Sequence, residues 1–331
     1  MTISNVMRTQ VPGLALLSIG ALIAYLISGA VDSLQPLVVS VILGFVIGNL
    51  FGIPDIAGPG VNSHKLFLET GIVLLGAAVA IGELISAGPT VLGLIVLTVG
   101  GGVLLLEGLA RGLFRIDNEM SSLLAAGASI CGVSAVVAIG RVLDARGATL
   151  TFAAATILIF DAITLVVFPI AGEWLNLSAR QFGVWAGVSM FSTGPVAAAG
   201  FSHSPEAGQW ATVTKLARNS LLGGVAVAYS VVYTTKSRGN VGVSKLWKEF
   251  PKFLLGFVLV AVIANSGLLS TTAISLLNQI SDVLFALAFV GLGLSIRVRE
   301  MRRVGSAPII VVLLHLLVVS VLTLLIIQIT L

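Results

Sequence analysis

Long apolar stretches alternate with short polar connectors along almost the whole chain. A helix needs about 20 apolar residues to cross the hydrocarbon layer of a membrane, which is roughly 30 Å thick. On that rule the sequence predicts eleven membrane-spanning helices, at residues 12–31, 34–52, 66–83, 89–110, 120–140, 149–170, 182–200, 209–234, 252–270, 279–296 and 306–330. The predicted fold class is an all-α polytopic membrane protein, with a single integral membrane domain over residues 1–331.

The composition supports this class and excludes others. Hydrophobic residues make up 57% of the chain and charged residues 10%, whereas soluble domains carry about 25% charged residues. The single cysteine, Cys131, allows no internal disulfide and no multi-cysteine metal site. The sequence contains no phosphate-binding loop and no nucleophile with a base beside it. We therefore expect a protein that is not an enzyme, with no catalytic residue, no cofactor and no metal.

The basic residues predict an orientation in the membrane, because cytoplasmic loops retain Lys and Arg. With eleven crossings, 14 of the 18 basic residues fall on one side, Arg141 and Arg146 fall on the other, and Lys215 and Arg218 lie within the eighth span. This predicts a cytoplasmic amino terminus and an outer carboxyl terminus in the cell (inner) membrane. Residues 235–252 are the predicted cytoplasmic loop between spans 8 and 9. Basic residues scattered over connectors do not indicate a nucleic-acid partner.

The fifth and seventh spans are interrupted in the middle. Small and polar residues replace large apolar ones over 126–134, and Pro195 follows a Ser-Thr-Gly run in the seventh span. A helix that starts at membrane depth presents free N–H groups and partial positive charge to an anion. The candidate binding residues in these interruptions are Ser129, Cys131, Gly132, Ser134, Ser192 and Thr193. The alternative interpretation is close helix packing through Gly, Ala and Ser.

Three charged residues lie deep within predicted spans, where a charge is costly unless it is paired or hydrated. Lys215 and Arg218 are three residues apart and therefore share one helix face. Two cations on one face need an anion, which is either Asp161 as a structural counter-ion or a ligand that competes with it. Asp161 is also the candidate for proton coupling, because burial favours a neutral carboxyl group and neighbouring cations favour an ionised one.

Two internal similarities indicate repeated architecture. The segment from Val73 resembles the segment from Val290, and a displacement of seven crossings permits an inverted repeat. A second similarity links residues 126–140 with 186–200, which are 60 positions apart. Its displacement of two predicted crossings implies the same orientation. An inverted repeat is expected, and its register is open.

Three segments carry a resemblance to a known family: LLAAGASICGVSAVVA at 123–138, VAAAGFSHSP at 196–205 followed by Lys215–Arg218, and GLGLSIRVREMRRVGSAP at 291–308. With them the chain resembles, over nearly its whole length, the YeiH family of bacterial and archaeal membrane proteins, which are named as sulfate exporters. The resemblance implies an architecture related to bile-acid symporters and cation/proton antiporters, with a panel domain and a core domain of crossed, broken helices. It also implies elevator-type alternating access and a homodimer.

These observations predict a secondary transporter of a small anion such as sulfate, a sulfonate or an organic carboxylate, coupled to H⁺ or Na⁺. The interrupted spans would line the site, and Lys215 and Arg218 would balance the substrate charge. One alternative is a cation/proton antiporter in which Asp161 binds Na⁺ and Lys215 competes for it. Another is a passive anion channel or a membrane sensor. Apart from the substrate and the coupling ion, the expected partners are the lipid bilayer and a second copy of the chain.

Overall fold

The computed structural model describes residues 3–30, 36–78, 81–233, 252–296 and 306–331, and within these ranges the regular structure is entirely helical. The predicted loop at 235–252 lies outside the described residues except for Lys252. The first half of the described chain forms helices α1 (Ile3–Ala30), α2 (Pro36–Leu50), α3 (Gly58–Val61), α4 (His64–Leu75), α5 (Ile81–Val96), α6 (Gly102–Gly108), α7 (Asn118–Ala126) and α8 (Val133–Leu143).

The second half begins with one long helix, α9. It continues with α10 to α16. The bounds are α9 (Gly147–Trp174), α10 (Ala179–Ser189), α11 (Thr193–His203), α12 (Pro205–Asn219), α13 (Leu222–Tyr233), α14 (Phe253–Asn265), α15 (Thr271–Ser295) and α16 (Ser306–Thr330).

Five described helical segments are long and apolar enough to cross a membrane. They are Gln10–Ala30, Gly88–Leu113, Gly147–Trp174, Thr271–Ser295 and Ser306–Thr330. Shorter apolar helices cover Pro36–Leu50, Val133–Leu143 and Leu255–Asn265. The protein is therefore an all-helical, polytopic membrane protein, as the hydropathy pattern predicted.

The chain divides into two compact units. Unit 1 comprises Met1–Ile85 and Lys252–Val298, and unit 2 comprises Ser86–Pro251 and Arg299–Leu331. In unit 1, α2 and α15 pack with their backbones in close approach: a Cβ atom added to Gly44 would lie 2.1 Å from the main-chain oxygen of Val290. All the residues predicted for the binding site lie in unit 2. The prediction of one membrane domain over residues 1–331 stays a prediction.

Residues 118–143 form a helical hairpin, hairpin 1, and do not cross the fold in one direction. Helix α7 continues as a π-helical turn, Gly127–Cys131, and the chain reverses at Gly132 before α8. Gly132 has φ 69° and ψ −138°, a conformation that side chains with a Cβ atom rarely adopt. The two arms touch along their length, since a Cβ atom on Gly127 would lie 2.8 Å from Val136 Cγ2.

The ends of hairpin 1 confirm the reversal. The backbone N–H of Arg146 donates to Glu119 Oε1 at 2.8 Å, although a continuous helix would separate these residues by roughly 40 Å. The prediction of a single crossing at 120–140 was therefore wrong, and so was the placement of Arg146 on the opposite side from residue 119. The interruption was recognised in the sequence, but a small-residue run does not show whether a helix bends or turns back.

Residues 179–203 form a second hairpin, hairpin 2. Helix α10 ends at Ser189, the chain turns through Met190–Ser192, and α11 returns beside α10. The rings of Phe182 and His203 stack with centroids 4.3 Å apart, so the start of α10 and the end of α11 lie together. The predicted crossing at 182–200 was therefore also wrong.

The two hairpins point in opposite directions along α9. Hairpin 1 has its base at the Gly147 end of this helix, and hairpin 2 has its base at the Trp174 end. The sequence similarity between residues 126–140 and 186–200 thus relates elements of opposite orientation. The same-orientation prediction failed because it counted each hairpin as a crossing.

The predicted eighth span at 209–234 is two helices. Helix α12 ends at Asn219, a turn covers Ser220 and Leu221, and α13 continues to Tyr233. Helix α12 packs against both arms of hairpin 2. A Cβ atom on Gly187 of α10 would lie 2.6 Å from Thr214 Cβ, and Gly208 faces the ring of Phe201 in α11. This packing places the far end of α12, which carries Lys215 and Arg218, beside the tip of hairpin 2.

Candidate functional site

The tips of the two hairpins touch each other inside unit 2. A Cβ atom added to Gly132 would lie 1.9 Å from Ser192 Oγ and 3.2 Å from Ser192 Cα. Gly132 is therefore required both by its backbone conformation and by the space that Ser192 takes. We call this meeting point the tip junction, formed by residues 128–134 of hairpin 1 and 187–194 of hairpin 2.

Asp161 lies at the tip junction from the middle of α9. It follows 14 residues of this 28-residue helix, which places it about 21 Å from the helix start at 1.5 Å per residue. The side chain is 3% exposed. The carboxylate accepts the backbone N–H of Ser192 at 3.0 Å and the Ser192 hydroxyl at 2.5 Å. It thus provides negative charge at the amino-terminal end of α11, where a helix carries partial positive charge.

Lys215 joins the tips through their backbone. Its Nζ donates to the main-chain oxygen of Ile130 at 2.8 Å and to that of Met190 at 3.0 Å. Both oxygens belong to the last turn of a hairpin's first arm, where carbonyl groups have no intrahelical donor. The side chain is fully buried.

Arg218 makes a parallel set of bonds. Its Nε donates to Ser129 O at 2.8 Å, Nη2 to Ala128 O at 2.6 Å, and Nη1 to Met190 O at 2.7 Å. The guanidinium group is 1% exposed. Two cations on one face of α12 therefore neutralise the negative ends of both first arms.

The cations have backbone partners where the sequence suggested a carboxylate. Among the described residues, neither Lys215 nor Arg218 has a carboxylate within ion-pair distance. Asp161 therefore forms no direct ion pair with either cation, and its role as a structural counter-ion, one of the two alternatives, stays a prediction. The carbonyl groups at helix ends can balance the charges of two Lys or Arg side chains. The amino-acid sequence does not directly show where such helix ends lie.

The second arms of the hairpins begin with backbone donors that lack acceptors. The N–H groups of Val133 and Ser134 in α8, and of Thr193 and Gly194 in α11, have no acceptor among the described residues. Ser134 is exposed, and Ser192 and Thr193 are half-buried, so other described residues do not fully cover this side of the junction.

Asn219 is a site residue that the sequence did not reveal. Its Nδ2 donates to Thr193 Oγ1 at 3.0 Å, and its buried Oδ1 has no partner among the described residues. The side chain is 5% exposed. A signal was available: Asn219 directly follows Arg218 within a predicted span, where a polar side chain needs a partner.

The remaining predicted residues lie in the first arm of hairpin 1. The Ser129 hydroxyl is buried and has no partner among the described residues, although its carbonyl binds Arg218. Cys131 carries a free thiol that is 8% exposed. His315 of α16 comes close to the junction, since its ring centroid lies 6.4 Å from that of Phe191. The described residues contain no cluster of three or more His, Cys, Asp or Glu side chains that could hold a metal ion.

A second polar cluster fixes the base of hairpin 1. Glu107 pairs with Arg111, one helical turn further along the chain, at 2.5 Å. Ser122 of α7 donates to Glu107 Oε1 at 2.7 Å, and Tyr229 of α13 donates to the same oxygen at 2.8 Å. Arg111 also donates to the Tyr233 hydroxyl at 2.8 Å. This cluster ties α7 to α13, and its residue Ser122 lies six residues, about 9 Å along the helix, before Ala128 of the tip junction.

Comparison with known proteins gives one family. The family described as Conserved hypothetical protein 698 matches residues 12–312. A UPF0324 membrane protein of Corynebacterium glutamicum is 32% identical over 311 residues, covering 93% of this chain and 89% of the relative. A UPF0324 membrane protein of Nitratidesulfovibrio vulgaris is 30% identical over 312 residues, covering 89% and 86%.

The relatives include the UPF0324 inner membrane protein YeiH of Salmonella typhimurium, which is 29% identical over 329 residues, covering 95% of this chain and 93% of the relative. No solved structure matches. The resemblance seen in the sequence segments is thereby confirmed. The chain belongs to the UPF0324 family of membrane proteins, described as Conserved hypothetical protein 698, which includes YeiH.

Proposed function

We propose that this protein is a secondary transporter of a small anion. The observation that carries the proposal is the tip junction, where two opposed hairpins meet beside a buried Asp161 and two buried cations. The two helix starts there present N–H groups that have no acceptor in the part of the chain that the structure describes. Backbone donors and the positive ends of helices are a general anion-binding arrangement.

The charges favour an anion over a cation. Lys215 and Arg218 contribute two positive charges, and Asp161 contributes one negative charge. Its carboxylate oxygens already accept two hydrogen bonds from Ser192. A cation would need a carboxylate that is free of donors and not outnumbered by cations. Sulfate, a sulfonate or an organic carboxylate would instead accept the free N–H groups.

The arrangement favours a carrier. Hairpin 1, hairpin 2, α9 and α12 belong to one compact unit, so the whole site would move with that unit in an elevator-type mechanism. The two hairpins with the helices that follow them, 118–174 and 179–233, would form the inverted repeat, displaced by 60 residues.

The hairpins also revise the proposed topology. If both hairpins are re-entrant, each enters and leaves the membrane on the same side, and nine of the eleven predicted crossings remain. The amino terminus then stays in the cytoplasm and the carboxyl terminus stays outside. Arg141 and Arg146 then join the basic residues on the cytoplasmic side, and Arg180 moves to the outer side. The basic residues thus follow the positive-inside rule more closely than they do with eleven crossings.

The remaining parts of the proposal concern partners. We propose H⁺ as the coupling ion, with Asp161 as its carrier, and a homodimer in the inner membrane. We expect no enzymatic activity, no cofactor and no nucleic-acid partner.

Anion binding is tested by thermal unfolding of the purified protein with sulfate, methanesulfonate, dicarboxylates and Na⁺. A ligand at 100 times its Kd adds roughly 2.7 kcal/mol to stability. Ser134→Phe would cover the start of α8 from its exposed side, so it should abolish stabilisation by an anion. Val137→Phe is the matched control, because Val137 is 38% exposed one turn further along α8.

The proposal is supported if an anion stabilises the wild-type protein and Val137→Phe but does not stabilise Ser134→Phe. Equal stabilisation of both variants would remove the tip junction from the site. Stabilisation by Na⁺ alone would overturn anion transport and favour a cation/proton antiporter.

A further inference from the structure

The tip junction carries a defined formal charge. Its charged side chains are Lys215 and Arg218 from α12 and Asp161 from α9, and all three are at least 97% buried. The ends of the helices cancel in pairs, because two carboxyl-terminal ends and two amino-terminal ends meet there. With these three side chains ionised, the site without a ligand therefore has one net positive charge.

Other titratable groups near the junction do not change this count. Cys131 in the π-helical turn is a thiol, and His315 of α16 is a buried imidazole that is 1% exposed. The titratable groups of α8 and α11 lie at the far ends of these helices, at Arg141 and His203. Asp161 is thus the one carboxyl group of the described residues that contacts the junction.

We propose that the site accepts one net negative charge, so that a monovalent anion binds without a proton and a divalent anion binds together with one proton on Asp161. This inference rests on the proposed function. Burying an uncompensated charge is costly in a membrane protein. A monovalent anion neutralises the empty site, whereas a divalent anion would leave one negative charge unless Asp161 became neutral.

The geometry allows the proton to be taken up without breaking the junction. The Ser192 hydroxyl donates to Asp161 Oδ2 in the ionised state. After Asp161 receives a proton from water, its new O–H can donate to the Ser192 oxygen, and the backbone N–H of Ser192 still reaches Oδ1. When the divalent anion leaves, the proton returns to water and the carboxylate is restored.

The consequence is that the same net charge is transported with either class of anion. A monovalent anion carries one negative charge, and a divalent anion with its proton also carries one. Transport current per anion should therefore be the same for the two classes, while proton movement accompanies only the divalent one.

The test is titration calorimetry of the purified full-length chain with sulfate and with methanesulfonate at about pH 6 and about pH 8. Both are tetrahedral, and over this range sulfate stays divalent and methanesulfonate monovalent. Sulfate binding takes up one proton, so its affinity should fall about tenfold per pH unit as pH rises while the empty site is ionised. Methanesulfonate affinity should change by less than about twofold.

Asp161→Asn is the decisive variant, since the amide can still accept from the Ser192 N–H and cannot take up a proton. Sulfate should then bind with a pH-independent affinity. If the variant does not fold, the wild-type protein titrated in buffers of different ionisation enthalpy measures the proton count directly. We expect one proton for sulfate and none for methanesulfonate.

The outcomes separate the two proposals. Equal pH dependence or equal proton counts for the two anions would overturn the charge-matching inference and leave anion binding intact. Binding of neither anion at either pH would overturn the inference, and the proposed function would fall with it if dicarboxylates also fail to bind. Proton uptake with sulfate that persists in Asp161→Asn would show that another group takes the proton, which also contradicts the inference.

Discussion

Arg218 Nη1 lies 2.7 Å from the main-chain oxygen of Met190, so a cation of α12 caps the first arm of hairpin 2. The same guanidinium group binds two carbonyl oxygens in hairpin 1. One side chain therefore holds two helix ends that point toward each other from opposite directions. Repulsion between two negative helix ends at membrane depth is relieved by this contact and by the similar one of Lys215.

Removing the guanidinium group should destabilise the fold strongly. Arg218→Ala would leave buried carbonyl oxygens without donors, which we expect to cost about 3 kcal/mol or more. Arg218→Lys should recover part of this loss, because an ammonium group can serve some of the same oxygens. Thermal unfolding measures both. Lys65→Ala, at an exposed position of α4, is the control, and a similar melting temperature for Arg218→Ala and Lys65→Ala would contradict the capping role.

Gly132 should not tolerate a side chain. Gly132→Ala would place a methyl group against Ser192 in a backbone conformation that is already strained for alanine, so we expect a loss of about 2 kcal/mol or more. Gly108→Ala is the matched control in unit 2, because a Cβ atom there would have nothing within 4 Å. Equal stability of the two variants would show that the tips do not meet as described.

The bond between Ser192 and Asp161 should matter more than other serine hydroxyl bonds of α11. Ser192→Ala removes a donor to a buried carboxylate, and we expect a loss of about 1–3 kcal/mol. Ser202→Ala removes only a bond to Ala199 O in the same helix and should cost less than about 0.5 kcal/mol. Denaturant unfolding of the two variants in parallel gives the comparison, and losses of equal size would remove any special role from Ser192.

The reversal of hairpin 1 predicts which residues share a side of the membrane. In a Cys131→Ser background, single cysteines at Gly112, Ala148 and Glu173 occupy exposed positions. A membrane-impermeant thiol reagent should label the cysteines at 112 and 148 from the same side and the cysteine at 173 from the other. Labelling of 112 together with 173, with 148 on the opposite side, would restore the single crossing at 120–140 and refute the re-entrant hairpin.

Local features of the sequence predicted the helices and the positions of the breaks. Pro195 and the small residues around Gly132 mark the interruptions because each changes the backbone conformation that is possible at its own position. The direction after each break depends on contacts between distant residues, such as Glu119 with Arg146. A hydropathy pattern carries no information about such pairs, which is why both hairpins were counted as crossings.

The sequence predicted which residues belong to the site better than it predicted what those residues contact. Asp161, Lys215 and Arg218 are conspicuous because charges are rare in apolar spans. Their partners are mainly backbone groups of residues 128–130 and 190, and backbone groups are the same in every residue. Asn219 was missed for a related reason, because a neutral amide does not stand out by charge.

The central claim is that the tip junction binds and carries an anion. Its most direct test is counterflow in proteoliposomes: vesicles loaded with unlabelled sulfate should take up labelled sulfate in a saturable manner. Val137→Phe should retain this exchange, and Ser134→Phe should abolish it. Absence of exchange in the folded wild-type protein for sulfate, sulfonates and carboxylates, or equal exchange in the two variants, would contradict the account.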